Sequence, residues 1–369
     1  MKRGCVIGYD INEKGCQISY YDDSMEEPDT MMASSNNYLI PLVLGYFKDR
    51  WVFGKEAKRL AVVGEDCTET DLYGKAKRRE KVSLAGKTYD AVWLLAKYIS
   101  LTLQDFENIQ YLTFTTPETD VDMAKMLKGI GQHIGVDKEI INVQDYKESF
   151  CQYMIFQPKE LWQYESALFY CDEDRIKAYM LRRLRVDASH GMNSFVTVDE
   201  VANAQRKELE ALYPIMNKEK SPDESFKSMI ENVFEKKVIS SVYLTGEGFE
   251  KNWYPNSLRV LCNGRRAFMG NNLYSKGACY KSIRKCEPND DGPIYLDETK
   301  LTERICLRMR VDGQEGWYPL VTWGTHWYEA DGQWEVLLED ASDIEILVES
   351  LVDEEVQVEK VSLEGLPKR

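Results

Sequence analysis

Histidine is scarce in this chain. His133, His190 and His326 are the only three, and they lie far apart in sequence, which argues against a histidine-built zinc site. Nine cysteines are scattered with no Cys-x-x-Cys pair. An odd, dispersed set excludes a secreted disulfide framework and fits a reducing compartment. Most occupy apolar runs such as "ALFYCD" and "LRVLCN", where cysteine acts as a small hydrophobe. No apolar run approaches the roughly 20 residues of a membrane-spanning helix. The start, "MKRGCVIGYDINEKG", has a basic dipeptide but lacks the apolar core of a signal peptide. Basic charge is also short: 47 Lys and Arg face 62 Asp and Glu, a net charge of −15. That balance excludes a nucleic-acid partner and docking on an anionic membrane surface, both of which need clustered cations. The expected location is cytoplasmic.

What is present is a hydrophobic fraction of 43% in 369 residues, enough for two or three domains with real cores. Residues 3–11 and 15–21 read as strands around an "NEKG" turn, with Gly15 free to take positive φ. "NYLIPLVLGY" and "RWVFG" read as two more, closing an antiparallel meander, and "GKEAKRLAVVG" as a helix. Residues 71–87 read as a charged surface loop. "YDAVWLLAKYISLTL" sets Ala91, Leu94, Leu95, Tyr98 and Leu101 on one helical face. Strand and helix then alternate through "IQYLTFTTP", "ETDVDMAKMLKGIGQHIG", "KEIINVQD" and "KESFCQYMIFQ". "YESALFYCD" and "RIKAYMLRRLRV" form a hairpin around Asp172, Glu173 and Asp174. Residues 184–222 show no clear strand, and 198–216 and 223–237 read as helices, the second capped by Ser221 or Asp223. The strand "VISSVYLTG" leads into the "GEGF" loop, then two helices around a short strand "RRAF". After the linker-like "EPNDDGP" the pattern is strand after strand, "WEVLLED" among them, to "GLPKR", as if it continued beyond residue 369.

This order resembles the actin-like ATPase superfamily, and within it most closely the seventy-kilodalton heat-shock chaperones. "VIGYDINEKGCQISY" looks like that family's first phosphate loop. "YLIPLVLGYFKDRWVFGKEAKRLA" is similar to its Pro … Gly-x-x-Ala-Lys segment. "LTFTTPETD … VQDYKESFCQYMIFQ" resembles its strand, turn and connecting helix, with Glu148 on the family's glutamate. "VYLTGEGF … NNLYSKGACY" looks like the adenosine motif. The likeness covers roughly residues 3–285. It implies an α/β fold of two lobes, each ribonuclease-H-like (about 1–165 and 166–286 within a nucleotide-binding domain 1–286), followed by a small all-β module over 287–369. It further implies ATP or ADP with Mg²⁺ as cofactors. Asp10 would hold the metal and, with Glu148, position the attacking water. Asn12, Lys14, Gly15, Asp172, Gly246 and Gly248 would contact the nucleotide.

The sequence departs from that pattern at the phosphate turns. The second, Asp-Leu-Gly-Gly-Gly-Thr in the family, here reads "CDEDRI", with no glycine and three carboxylates where phosphates belong. The first has become "NEKG", in which Lys14 could replace lost hydroxyl contacts. Taken alone, Asp10 reads equally as a turn residue and Glu148 as an ordinary exposed helix residue. Gly246 and Gly248 read as a strand-to-helix turn, 172–174 as a solvated tip, and "KAKRRE" as a solvated charged face. Trp317, Trp323, Trp327 and Trp334 read as sheet core. Three functions fit. The first is a bacterial chaperone-like nucleotide-binding protein with weak or lost hydrolysis, its nucleotide state coupled to a β module that grips a peptide or protein client. The second is a nucleotide-independent scaffold that has kept the fold. The third is a small-molecule kinase.

Overall fold

The computed structural model describes residues 4–34, 37–63, 67–184, 194–205, 221–287, 292–330, 335–337, 343–351 and 356–363. The chain divides into two compact units, Met1–Leu181 with Asp199–Asp290, and Arg182–Val198 with Asp291–Arg369. Among the described residues there are eight α-helices, and none is long and apolar enough to cross a membrane.

The larger unit uses one topology twice. The first copy starts with the hairpin β1 (Cys5–Ile11) and β2 (Gly15–Tyr21), followed by β3 (Asp29–Thr30). A stretch of small elements is inserted here: β4 (Ile40–Pro41), β5 (Leu44–Phe47), β6 (Arg50–Phe53), α1 (Gly54–Val63), β7 (Thr68–Glu69), α2 (Leu72–Lys77), β8 (Lys81–Leu84) and β9 (Lys87–Asp90). The copy resumes with α3 (Ala91–Thr102), β10 (Ile109–Thr116), α4 (Val121–His133), β11 (Ile141–Asp145) and α5 (Tyr146–Ile155). Its sheet runs β11-β10-β1-β2-β3, with β10 parallel and β2 antiparallel to β1. The second copy is β12 (Glu165–Cys171), β13 (Arg175–Leu184), β14 (Phe195–Gln205), α6 (Pro222–Phe234), β15 (Ile239–Thr245), α7 (Pro255–Leu261), β16 (Arg266–Met269) and α8 (Leu273–Cys286), the end of β13 from Arg182 and the start of β14 to Val198 being counted with the smaller unit. Its sheet runs β16-β15-β12-β13-β14, the same order. Even the irregularity repeats. The β1–β10 register slips after Cys5↔Ile109, and the β12–β15 register slips after Glu165↔Ile239.

Carboxylates and hydroxyls start the helices. Asp90, Asp120, Asp145 and Ser221 each accept a backbone N–H in the first turn of α3, α4, α5 and α6, a contribution of about 1 kcal/mol apiece. The second sheet packs α6 and α7 through Phe169, Phe226, Phe249 and Tyr254. Helix α8 takes a different place: it lies on the first sheet and against α5. A Cβ on Gly8 of β1 would come within 2.1 Å of the Ser275 carbonyl oxygen, and one on Gly277 within 2.0 Å of that of Ser149. Backbones meet where side chains are missing. Hydroxyl pairs stitch the same seam, Ser19 to Ser275 at 2.8 Å and Thr113 to Ser282 at 2.7 Å.

Three expectations are corrected. Strands β5 and β6 do not extend the first meander but form a separate sheet with β7. Of the strands in residues 38–53 only β4 joins β2, and Pro41 has no N–H to carry that ladder on. Residues 71–87 are not a loop: α2 and the β8–β9 hairpin bury Leu72, Tyr73, Ala76, Val82 and Leu84. Flanking lysines hid that short period. Residues 195–205 are a strand rather than the start of a helix, because pairing in the sheet outweighs the helix preference of Ala, Gln and Glu; residues 206–216 lie outside the described set.

The smaller unit contains β17 (Ile294–Tyr295) and a four-stranded antiparallel sheet of β18 (Glu303–Val311), β19 (Gln314–Val321), β20 (Asp343–Ser350) and β21 (Val356–Ser362), in the order β19-β18-β20-β21. Phe195, Leu296, Trp323 and Leu351 make its core. Trp323 is the one buried tryptophan of the four singled out that is described; Trp317 and Trp327 are exposed rather than core, and Trp334 is outside the described residues. Of the expected strand 334–340 only 335–337 are described, and they are not strand.

Gly277→Ala should lower the unfolding free energy by about 1–3 kcal/mol, since the added carbon has no space between α8 and α5. Gly129→Ala in α4, where a Cβ meets nothing within 4 Å, should instead raise it by about 0.5–1 kcal/mol. Urea unfolding of the two variants checks both signs.

Candidate functional site

The two hairpin turns occupy equivalent places in the two copies and are built alike. In the first, Asn12 Oδ1 accepts the N–H of Lys14 at 2.9 Å and of Gly15 at 3.3 Å. In the second, Asp172 Oδ1 accepts the N–H of Asp174 at 2.8 Å and of Arg175 at 2.7 Å. Each is an Asx turn, closed by its own first side chain. The consequence is chemical. A turn binds an anion with outward backbone N–H groups, and here each turn gives two of them to its own first side chain.

Asp10 ends β1 with its side chain buried. Its Oδ1 accepts a 2.7 Å hydrogen bond from the Tyr146 hydroxyl, which itself accepts one of 2.9 Å from Asn12 Nδ2. Burial pushes the Asp10 carboxyl up to about 7, against the opposing effect of the Tyr146 bond. Tyr146 opens α5 and stacks on Tyr274 from the first turn of α8, ring centroids 3.7 Å apart and planes 6° from parallel. Tyr170, Tyr179 and Tyr73 stand nearby. The hydroxyls of Tyr170 and Tyr73 are raised by burial first and then by carboxylates that include Asp10; that of Tyr179 is raised by burial and then by Glu200. The Tyr274 hydroxyl is buried and has no hydrogen-bond partner.

Glu148 is buried in α5, not exposed, and pairs with Lys281 of α8 at 3.0 Å. One turn further along, Arg284 donates to Gln152 at 3.0 Å. Lys14 pairs with Glu247, which joins the first hairpin to the loop after β15. Burial works against the Lys14 charge, yet Glu247, Glu173 and Asp172 hold its pKa above the usual lysine value. Gly246 has φ +101°, and a Cβ there would sit 2.1 Å from the Cys171 carbonyl oxygen. One on Gly248 would meet Cys171 Sγ at 2.2 Å. The close approach these glycines permit is to the end of β12. Among the expected residues, then, the structure gathers Asp10 and Asn12 around Tyr146. Lys14 is drawn to the 247 loop, and Gly246 and Gly248 to Cys171. Glu148 is committed to α8.

Residues 27–298 match the family model described as "Family of unknown function (DUF5716) C-terminal". The chain belongs to this DUF5716 C-terminal family. Residues 300–369 match a second model, "Domain of unknown function (DUF8552)". No curated protein matches the chain. The DUF5716 match takes in Tyr146, Glu148, Gly246 and Tyr274 but begins beyond the first hairpin, so Asp10 and Asn12 lie outside it.

The residues of this DUF5716 chain do not fit a Mg²⁺–nucleotide as arranged. Two amides of each turn are taken by its own Asx side chain, the second turn carries Asp172, Glu173 and Asp174, and Lys14 is paired with Glu247. Asp10, the expected metal carboxylate, is buried on a phenol, and among the described residues no group of three His, Cys, Asp or Glu side chains is placed to hold a metal. Sequence reasoning missed Tyr146 and Tyr274. Their signal was slight, one tyrosine opening each of two helices that the duplication makes equivalent. The Asx turns were legible: "NEKG" and "DEDR" both begin with the residue type that closes a turn through its side chain.

Asp10 supplies a pH test. Its pKa is higher in the folded protein than the value of about 3.9 in an unfolded chain. Its contribution is therefore fully present below about pH 4 and is lost as pH rises to about 7, because the folded state alone keeps the proton. The unfolding free energy of wild type relative to Asp10→Asn should fall by on the order of 3 kcal/mol between those limits, read by denaturant titration at a series of pH values. Tyr274→Phe, which removes a buried hydroxyl without a partner, should be neutral or stabilising by about 1 kcal/mol in the same assay.

Proposed function

We propose that this chain is a nucleotide-independent interaction protein built on a two-lobed, actin-like fold whose phosphate-binding apparatus has been converted into a permanent clasp. The duplicated order of strands and helices supports the actin-like reading: three strands, a helix, a strand, a helix, a strand and a helix, twice. So does the placement of a hairpin turn at the same point of each copy. The observation that carries the functional reading is that both turns close on their own Asx side chains. A nucleotide clamps such lobes by receiving N–H groups from both turns. Here the Tyr146–Tyr274 stack, the Glu148–Lys281 pair and the Lys14–Glu247 pair join the copies without one. The buried contacts matter most, since an exposed pair such as Lys14–Glu247 contributes only about 0–1 kcal/mol.

Isothermal titration calorimetry with ATP and with ADP, each with Mg²⁺, is expected to show no saturable heat, and millimolar nucleotide is expected to leave the melting temperature unchanged. Saturable binding to wild type that Asp10→Ala removes would overturn this reading in favour of a chaperone-like nucleotide-binding protein.

A further inference from the structure

One site in the larger unit lies away from the hairpin turns. A groove of 420 Å³ runs between β14 and α6. Apolar side chains line it, Ala202 and Ala204 from the strand and Met229 and Val233 from the helix, with Lys237 at the end beyond α6. Ser225 also faces it. This residue is only 7% exposed, yet its hydroxyl has no hydrogen-bond partner. Other buried polar atoms of this unit also lack a partner, on Gln17, Gln144 and Tyr243 among others. Ser225 is the one that lines this groove, where a ligand could supply the hydrogen bond that buried polar groups nearly always make.

The strand side of the groove has a second property. β17 pairs with β14 only at Phe195 and Val196. In that pairing Ile294 donates to the Ser194 carbonyl at 2.8 Å and Leu296 to that of Val196 at 2.9 Å. Even-numbered residues of β14 thus turn their backbone groups to the outer edge, and the two-residue repeat of a strand carries this on to Ala202 and Ala204. No described strand pairs with that edge beyond Val196. An edge with no described partner strand is a template for another strand.

We propose that this groove binds an extended peptide segment carrying an acidic group, which adds as a strand to the outer edge of β14 over Ala202–Ala204. Backbone bonds to the edge give affinity, side chains enter between Ala202, Ala204, Met229 and Val233, and the carboxylate lies towards Lys237. The volume and the apolar lining with a few polar groups suit a binding cleft. Acidic rather than basic partners follow from charge complementarity, since Lys237 is the charged side chain in the lining. The proposal rests on reading the chain as an interaction protein but concerns a different part of the molecule. Nucleotide binding at the hairpins would leave it standing.

The test uses the full chain and a fluorescein-labelled seven-residue peptide of alternating valine and threonine that ends in glutamate with a free carboxylate. Three comparisons accompany it: the same peptide N-methylated at alternate residues, its glutamine-ended amide, and the variants Ala204→Pro and Lys237→Glu. Fluorescence anisotropy should show saturable binding to wild type. N-methylation and Ala204→Pro should each weaken it about tenfold, the loss of one or two backbone hydrogen bonds. Lys237→Glu should weaken the acidic peptide several-fold but not its neutral amide. Hydrogen exchange at Ala202 and Ala204 in wild type should slow when peptide is added, a readout that does not depend on a variant folding. Equal binding of the N-methylated peptide, unchanged exchange at those residues, or no binding of any probe would each overturn the proposal. Circular dichroism confirms that the variants are folded.

Discussion

The approach of α8 to β1 and α5 is the constraint on which the larger unit depends. It is set by two residues without side chains, Gly8 and Gly277, which allow backbone to lie against backbone. From that contact follow the positions of Tyr274, Lys281 and Arg284 along one helix, and so their meeting with Tyr146, Glu148 and Gln152 along another. Those two helices close the two copies of the fold, so the seam between them is also the seam between the copies. Polar pairs also line the contact of α8 with the first sheet, from Ser19–Ser275 to Thr113–Ser282. Buried polar contacts of this kind are modest in net worth and costly to leave half made, which favours one arrangement over its neighbours.

Around this seam, groups that could serve chemistry are turned inward. A carboxylate on a phenol, a glutamate on a lysine and turns closed by their own side chains are all satisfied locally. Buried polar atoms without a partner are spread through this unit, on Gln17, Thr119, Asn142, Gln144 and Tyr243 as well as on Tyr274 and Ser225. Tyr274 is enclosed by aromatic rings, and Ser225 borders a groove.

Much of the fold was legible where local signals were strong and agreed. The β1–β2 hairpin followed from two β-rich runs around a polar turn, although Gly15 does not take the positive φ expected of it, and α3 followed from helical periodicity. The β12–β13 hairpin was marked by three acidic residues at its tip. Errors fell where local preference and tertiary pairing disagree. The helix-favouring composition of 198–205 forms a strand because β13 offers a partner, and the charged stretch 71–87 hides four alternating residues of β8. In the site, Asp10 and Asn12 were picked out through the resemblance of the first hairpin to a phosphate loop. Tyr146 and Tyr274 were not, because two aromatic residues far apart in sequence declare nothing until two helices bring their rings to 3.7 Å.

The sequence by itself determined a mixed α/β body with a β-rich end, a mostly apolar role for cysteine, and two polar hairpin turns. Each of these rests on composition or on neighbours within a few residues, where periodicity and side-chain chemistry act directly. Only the tertiary structure decided that Asp10 would be buried on a phenol, that Glu148 would answer Lys281, and that Gly246 and Gly248 would make room for Cys171. These depend on α8 crossing to the first sheet and on the 247 loop meeting the second hairpin. Long-range packing of that kind is fixed by shape complementarity across the whole core, which no short stretch of sequence contains.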